Sequence, residues 1–137
     1  MKIQMWSDFS CPFCYIGKRH LKTALAACGL TDRAELVFRS FELDPRAVSL
    51  RGGDVYRHLA EKYDMSIERA REMTEHTARQ AALTGLIFRF DRLIPANTFD
   101  AHRLQHFAAE RGKADAIGDA LMSAFFSEGE TFQKETR

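Results

Sequence analysis

Hydrophobic and polar positions along the chain change period twice near its start and then settle into helical spacing. Ile3 to Ser7 is a short apolar-rich stretch with strand character. From Pro12 to Cys28 apolar residues recur at helical spacing, and Gly29 follows where such residues favour ending a helix. Leu36 to Phe41 is an apolar run broken only by Arg39 and Ser40, as expected of a buried parallel strand, and Asp44-Pro45 ends it. Arg51-Gly52-Gly53-Asp54 reads as a hinge. Helices are predicted at Val55 to Tyr63, Ile67 to Thr84 (Ser66 as N-cap, Gly85 after its end), Phe99 to Arg111 (Thr98 before, Gly112 after) and Ala114 to Ser127, with Leu86 to Phe90 a short extended linker. The order strand, helix, strand, then helices alone predicts an α/β chain with a βαβ unit over residues 1–50 and a helical lobe over 51–137. Neither repeats nor low-complexity tracts occur.

Cys11-Pro12-Phe13-Cys14 sits where the first strand gives way to the first helix. Two cysteines three apart can exchange a disulfide within one turn. The first lies where free backbone N–H groups and the positive end of the helix favour a thiolate. Pro12 suits the first helical position, since its φ is already helical and its missing N–H is not needed. At about 100° per residue, Cys14, Gly17, Leu21, Ala24, Leu25 and Cys28 form one stripe, which predicts a buried face beginning at Cys14 and leaves Cys11 at an exposed mouth. Cys11 is accordingly assigned as the attacking thiolate and Cys14 as the resolving thiol. Lys18 and Lys22 add positive charge farther along the helix. Asp8, three residues before Cys11, is a candidate for moving a proton, and the plainer reading is a solvated loop acid. Cys28 lies about 21 Å along the axis from Cys14, too far for a disulfide, and its stripe predicts a buried, inert thiol.

Composition excludes several classes. The 137 residues carry a net charge of +1, which gives no bias toward nucleic acid or acidic membranes. No apolar stretch approaches the roughly 18 residues of a membrane span. Met1-Lys2 leads straight into the strand with no secretory signal, so a cytoplasmic protein is expected, its Cys-x-x-Cys kept reduced or cycled. His102, His106 and Glu110 share a helix face, predicted to point to solvent opposite Leu104, Phe107 and Ala108. Arg103 stands where a zincin motif needs Glu, and a solvated polar face is the plainer reading. Cys11 and Cys14 lack a second ligand pair at zinc-site spacing. His20, His58 and His76 are scattered singly, and no phosphate-binding glycine loop occurs. Met122, Phe125 and Phe126 read as core. No metal and no cofactor are expected.

Asp8-Phe9-Ser10-Cys11-Pro12-Phe13-Cys14-Tyr15-Ile16-Gly17-Lys18-Arg19-His20-Leu21 resembles the active-site signature of DsbA-like thioredoxin-fold proteins, specifically their cytoplasmic FrnE-type branch. Ser40 to Pro45 is similar to the end of that branch's second strand, and Pro95 to Leu104 to a segment of its helical insert. The resemblance implies a thioredoxin-like βαβ unit with an all-helical insert lobe. It also implies thiol–disulfide exchange through Cys11 and Cys14 with protein or small-molecule thiol and disulfide substrates. Pro12 and Phe13 would tune Cys11, and Asn97 and His102 would line a substrate groove. Related isomerases and kappa-class glutathione transferases usually carry serine at the first cysteine position, so glutathione-dependent isomerase or transferase chemistry is the weaker alternative. A non-catalytic fragment, or a binding module whose cysteines are relics or hold metal, is the other. One feature departs from the family: of Pro12, Pro45 and Pro95, none sits in the loop that should supply a cis-proline before a late strand. The closing ββα unit is therefore expected to be absent. That leaves the Ile3 to Ser7 edge unpaired, to be met by a homodimer, by a complementing chain, or by mobility of the N-terminal half.

Overall fold

The structure is a computed structural model and describes residues 1–49 and 53–131. β1 (Lys2–Ser7) leads into α1 (Pro12–Ala27), a short 3-10 turn (Thr31–Arg33) and β2 (Glu35–Ser40). α2 (Val55–Tyr63), α3 (Ile67–Ala82), α4 (Phe99–Ala109) and α5 (Ala114–Ser123) follow, and α5 continues into one π-helical turn, Ala124–Glu128. The fold is α/β, with two parallel strands in the register Ile3↔Leu36, Met5↔Phe38 and Ser7↔Ser40, and α1 as the crossover. Helix starts follow local chemistry: Pro12 occupies the first turn of α1, Asp54 accepts from the Tyr56 amide, and Ser66 accepts from the Arg69 amide. Asp54 of the expected hinge thus caps α2, while Arg51 and Gly52 lie outside the described residues, as does the tail from 132 onward.

One core joins the two parts. Phe9, Tyr15 and Ile16, which flank the cysteines, are buried together with Val55, Leu86, Phe88, Leu93, Met122, Phe125 and Phe126 of the helical part. Tyr15 stacks on Phe88 at 5.9 Å and Phe88 on Phe126 at 4.8 Å, so the residue after Cys14 is held by the far end of the chain. The Leu86 to Phe90 linker carries this contact: Leu86 and Phe88 point inward, and the Arg89 amide donates to the Phe126 carbonyl at 2.7 Å. Met5 and Phe38 share the sheet face toward α4, where Phe38 lies 6.0 Å from the His102 ring. Trp6, on the opposite face, is 61% exposed.

Two predicted faces are corrected. On α1 the buried residues are Tyr15, Ile16, Lys18 and Leu25, whereas Gly17, Ala24 and Cys28 are exposed, because no described residue covers that side. On α4 Ala108 is buried and His106 and Glu110 are exposed as expected, whereas His102, Leu104 and Phe107 are reversed. Ala101, His102, Gln105 and Ala108 face inward, while Leu104 and Phe107 face out, Phe107 under the Arg111 guanidinium at 3.5 Å from the ring centroid. His102 and Gln105 are tolerated inside because Asp8 and the Ala114 carbonyl receive their N–H groups, and the alanines let α5 approach closely.

Lys18 and Lys22 also differ from expectation. Lys18 is buried and paired with Asp115 at 2.9 Å and Asp119 at 2.7 Å, and Lys22 reaches the same two carboxylates at 2.6 and 3.0 Å. Their charge is spent on joining α1 to α5, not on the cysteines. Gly118 makes the approach possible, since a Cβ there would stand 3.1 Å from Gln105 Oε1 and 3.4 Å from Lys18 Nζ.

Candidate functional site

β1 ends at Ser7, Asp8 follows it, both are buried, and the chain turns through Phe9 and Ser10 into the cysteines. The Cys11 amide donates to the Asp8 carbonyl at 3.3 Å, and the Cys14 amide donates to the Cys11 carbonyl at 3.2 Å, closing the first turn of α1. Cys11 and Cys14 are both half-buried free thiols, and Phe13 between them is 57% exposed. The two sulfurs share a proton. The Cys11 thiol donates to the Cys14 sulfur and, against the cost of burial, holds Cys14 down at about 6, with further help from the Asp8 amide; the Asp8 charge opposes it. The same hydrogen bond, then burial and the neighbouring charge, push Cys11 above the ordinary thiol range, although the Phe13 and Cys14 amides favour its thiolate. The hydrogen bond between the two thiols thus favours ionisation of one at the expense of the other. The helix-start amides act on Cys11 less strongly than its partner sulfur does.

Asp8 is not the solvated loop acid of the plainer sequence reading. Its side chain is 2% exposed. One oxygen accepts from the Phe9 amide at 2.8 Å and from His102 Nε2 at 3.0 Å. The other accepts from the Leu43 amide at 2.8 Å and from Ser10 Oγ at 3.1 Å. Burial alone would raise this carboxyl, but the hydrogen bonds from His102, Thr98 and the Leu43 amide outweigh it and hold the group at about 2. A permanent anion thus ties the end of β1, the loop after β2 and the start of α4 to one point. Ser7 and Leu43 had no signal of their own in the sequence, and Thr98 stood out only as the residue before α4. Only the placement of Asp8 just before the cysteine turn pointed here.

Beside Cys11 lies an open cavity of about 350 Å³ between the cysteine turn, the loop after β2, α2, α3 and the 90–98 segment. Its walls are apolar, including Phe13, Leu43, Leu59, Met73, Phe90 and Phe126, with His58, Lys62 and Asp44 as charged or titratable members. Phe13, Leu43, Val48, Tyr63 and Met73 combine exposure with a place on this cavity, an apolar concentration next to a reactive group that fits a ligand site. Cys11 and Pro12 line it, whereas Cys14, Asn97 and His102 do not. Asn97 instead clamps the loop after β2, donating to the Pro45 and Ala47 carbonyls at 3.2 and 3.1 Å and accepting from the Phe99 amide at 2.9 Å. His102 is buried behind Asp8. Among the described residues no three His, Cys, Asp or Glu side chains gather to hold a metal ion, and His106 bonds Ser40 Oγ at 2.7 Å. Nor is any described helix long and apolar enough to cross a membrane.

A family model of the DsbA-like thioredoxin domain matches residues 2–137. Among solved structures, a probable DsbA oxidoreductase from Streptomyces coelicolor is 40% identical and superposes with a TM-score of 0.86, covering 96% of this chain and 56% of its own. The chain thus spans a little over half the length of that protein. No curated protein matches it.

Proposed function

Because the chain belongs to the DsbA-like thioredoxin domain family, we propose that it is a thiol–disulfide oxidoreductase, of that family's FrnE-type branch, working through Cys11 and Cys14 on substrates with an apolar group beside the sulfur. One observation carries the reading: Cys11 opens onto the apolar cavity while hydrogen-bonded to a Cys14 held near 6. A substrate disulfide seated in the cavity meets Cys11 first. As Cys11 attacks, its proton passes to the Cys14 thiolate. A bond forms between the Cys11 sulfur and one substrate sulfur, the substrate S–S bond breaks, and the first substrate thiolate leaves. Cys14 then loses that proton to solvent and attacks the Cys11 sulfur, releasing the second substrate thiolate. The protein is left with a Cys11–Cys14 disulfide and the substrate has gained two electrons. Run backwards, the same steps oxidise a dithiol. Pro12 and Phe13 line the cavity beside Cys11 and so influence both access and potential. None of these steps calls for a metal or an organic cofactor.

Reduction of insulin by dithiothreitol, followed by turbidity, tests the proposal. The wild type should shorten the lag, and Cys11→Ser should return it to that of dithiothreitol alone. A wild type no faster than dithiothreitol, or a Cys11→Ser variant equal to wild type, would leave the cysteines as relics in a non-catalytic fragment.

A further inference from the structure

We infer that the cavity beside Cys11 takes a compact aromatic disulfide carrying an anionic group, with Lys62 of α2 selecting for the charge. The inference rests on the disulfide chemistry proposed above and names the class of substrate that its site accepts.

The preference for a ring comes from the walls. Phe13, Phe90, Phe125 and Phe126, with Met65 and Met73, line about 350 Å³ of open space. Aromatic faces and thioethers favour a flat, polarisable group over an aliphatic chain of equal area. The volume is that of a small-molecule site. Cys11 lines it and Cys14 does not, so a disulfide attached to the seated ring meets the attacking sulfur.

The preference for an anion comes from α2. His58 and Lys62 stand four apart on that helix, and both line the cavity. Lys62 is exposed, its ammonium 5.7 Å from the Tyr63 ring centroid, and it forms no ion pair among the described residues. Lys18 and Lys22, by contrast, are matched by Asp115 and Asp119. Asp44 is the carboxylate among the described lining residues, and one of its oxygens accepts from the Arg46 amide at 3.1 Å within its own loop. The Thr74 and Thr77 hydroxyls donate to the Arg71 and Met73 carbonyls at 2.8 and 3.0 Å, so their protons are already used. Lys62 is left as the unmatched positive charge beside an apolar space, where its attraction for an anion is screened less than in bulk water. The His58 imidazole adds a donor one turn away.

Two aromatic disulfides that differ in charge provide the test: dithiobis(nitrobenzoate), with a carboxylate on each ring, and neutral dithiodipyridine. Each is mixed with the reduced protein in a Cys28→Ser background, which leaves Cys11 and Cys14 as its thiols. Cys11 attacks and one aromatic thiolate leaves; Cys14 then displaces the second. The reagent gains two electrons, the protein loses them with two protons passing to solvent, and the released thiolates are followed by absorbance. Lys62→Gln should slow the carboxylate reagent several-fold and Lys62→Glu about tenfold, with dithiodipyridine changed less than about twofold by either. Lys113→Glu makes the same charge reversal outside the cavity and should leave both rates within about twofold of their starting values. The exposed position of Lys62 keeps folding out of the comparison. Equal slowing of both reagents, no slowing of either, or an equal effect from Lys113→Glu would overturn the inference. Insulin reduction without this selectivity would remove the inference alone. Selectivity without insulin reduction would sink the proposed exchange on protein disulfides and leave the ligand site standing.

Discussion

At the scale of single residues, the site is governed by which polar groups are shielded from water. Cys14 is held near 6 chiefly by the Cys11 thiol, so Cys11→Ala should raise its titration well above that value, toward or beyond the ordinary thiol range, because burial then acts with less opposition. A midpoint still near 6 in the variant would show that the hydrogen bond is not the cause. Asp8 gives a stability prediction with a definite sign. Its folded carboxyl is depressed from 3.8 to about 2, so its contribution is complete above about pH 4 and is lost as pH falls through 2. That contribution is about 2 kcal/mol. Urea unfolding between pH 5 and pH 2 should show this loss, and a Thr98→Val protein should lose less, since its Asp8 is depressed less. Cys28 behaves differently from its sequence-based expectation. It is exposed, so Cys28→Ser should leave stability within roughly 0.5 kcal/mol of wild type, as at other surface positions, and the wild-type thiol should label readily.

Whole elements show how far the sequence carries. Pro12, Asp54, Ser66, Gly85 and Asp44-Pro45 act locally, through fixed dihedrals and caps, and the helix and strand limits they imply agree with the structure to within a few residues. Facing is another matter, because it depends on partners distant in the chain. His102 is read as solvent-facing by hydropathy, yet a carboxylate 94 residues away in sequence turns it inward. Lys18 looks like a surface charge, and nothing near it reveals that Asp115 and Asp119 stand opposite. This contact between α1 and α5 is testable. Asp115→Ala/Asp119→Ala leaves Lys18 buried without a counter-charge and, with both carboxylates partly exposed, should cost about 1–3 kcal/mol by urea denaturation. Lys18→Met in the same background should restore much of the loss, whereas an additive penalty would mean that the cluster contributes packing alone. The π turn after α5 has a similar dependence. Gly129 has a φ of 72°, and a Cβ there would stand 2.6 Å from the Arg92 carbonyl oxygen, so Gly129→Ala combines a left-handed strain with a backbone clash. It should destabilise by roughly 1–3 kcal/mol and loosen Phe125 and Phe126 from the cavity wall.

For the whole molecule, the sheet stands open at one edge and on one face. β1 pairs with β2 along one edge only, Trp6 stands out from the open sheet face, and α1 turns Gly17, Ala24 and Cys28 to solvent. The helical lobe has its aromatic stack, and the cysteine turn is anchored to it through Tyr15, Phe9 and Asp8. Two strands with one face open have little to hold them apart from that anchor. The match covers 56% of the Streptomyces coelicolor protein, and an open strand edge is where a further strand, a second copy or a complementing chain would pair. Hydrogen exchange should therefore divide the molecule. Amides on the outward edge of β1 should exchange much faster than those of α4, and the turn at Asp8 to Cys14 should be slower than the strand that leads into it, since its bonds reach the lobe. Light scattering adds the second half of the test. If the particle is a dimer, protection of β1 should rise with protein concentration as the edges meet. If it is a monomer, protection should be independent of concentration and remain low at Ile3 to Ser7. A monodisperse monomer whose Ile3 to Ser7 amides are as protected as those of α4 would show that the βαβ unit needs nothing beyond the lobe to complete it.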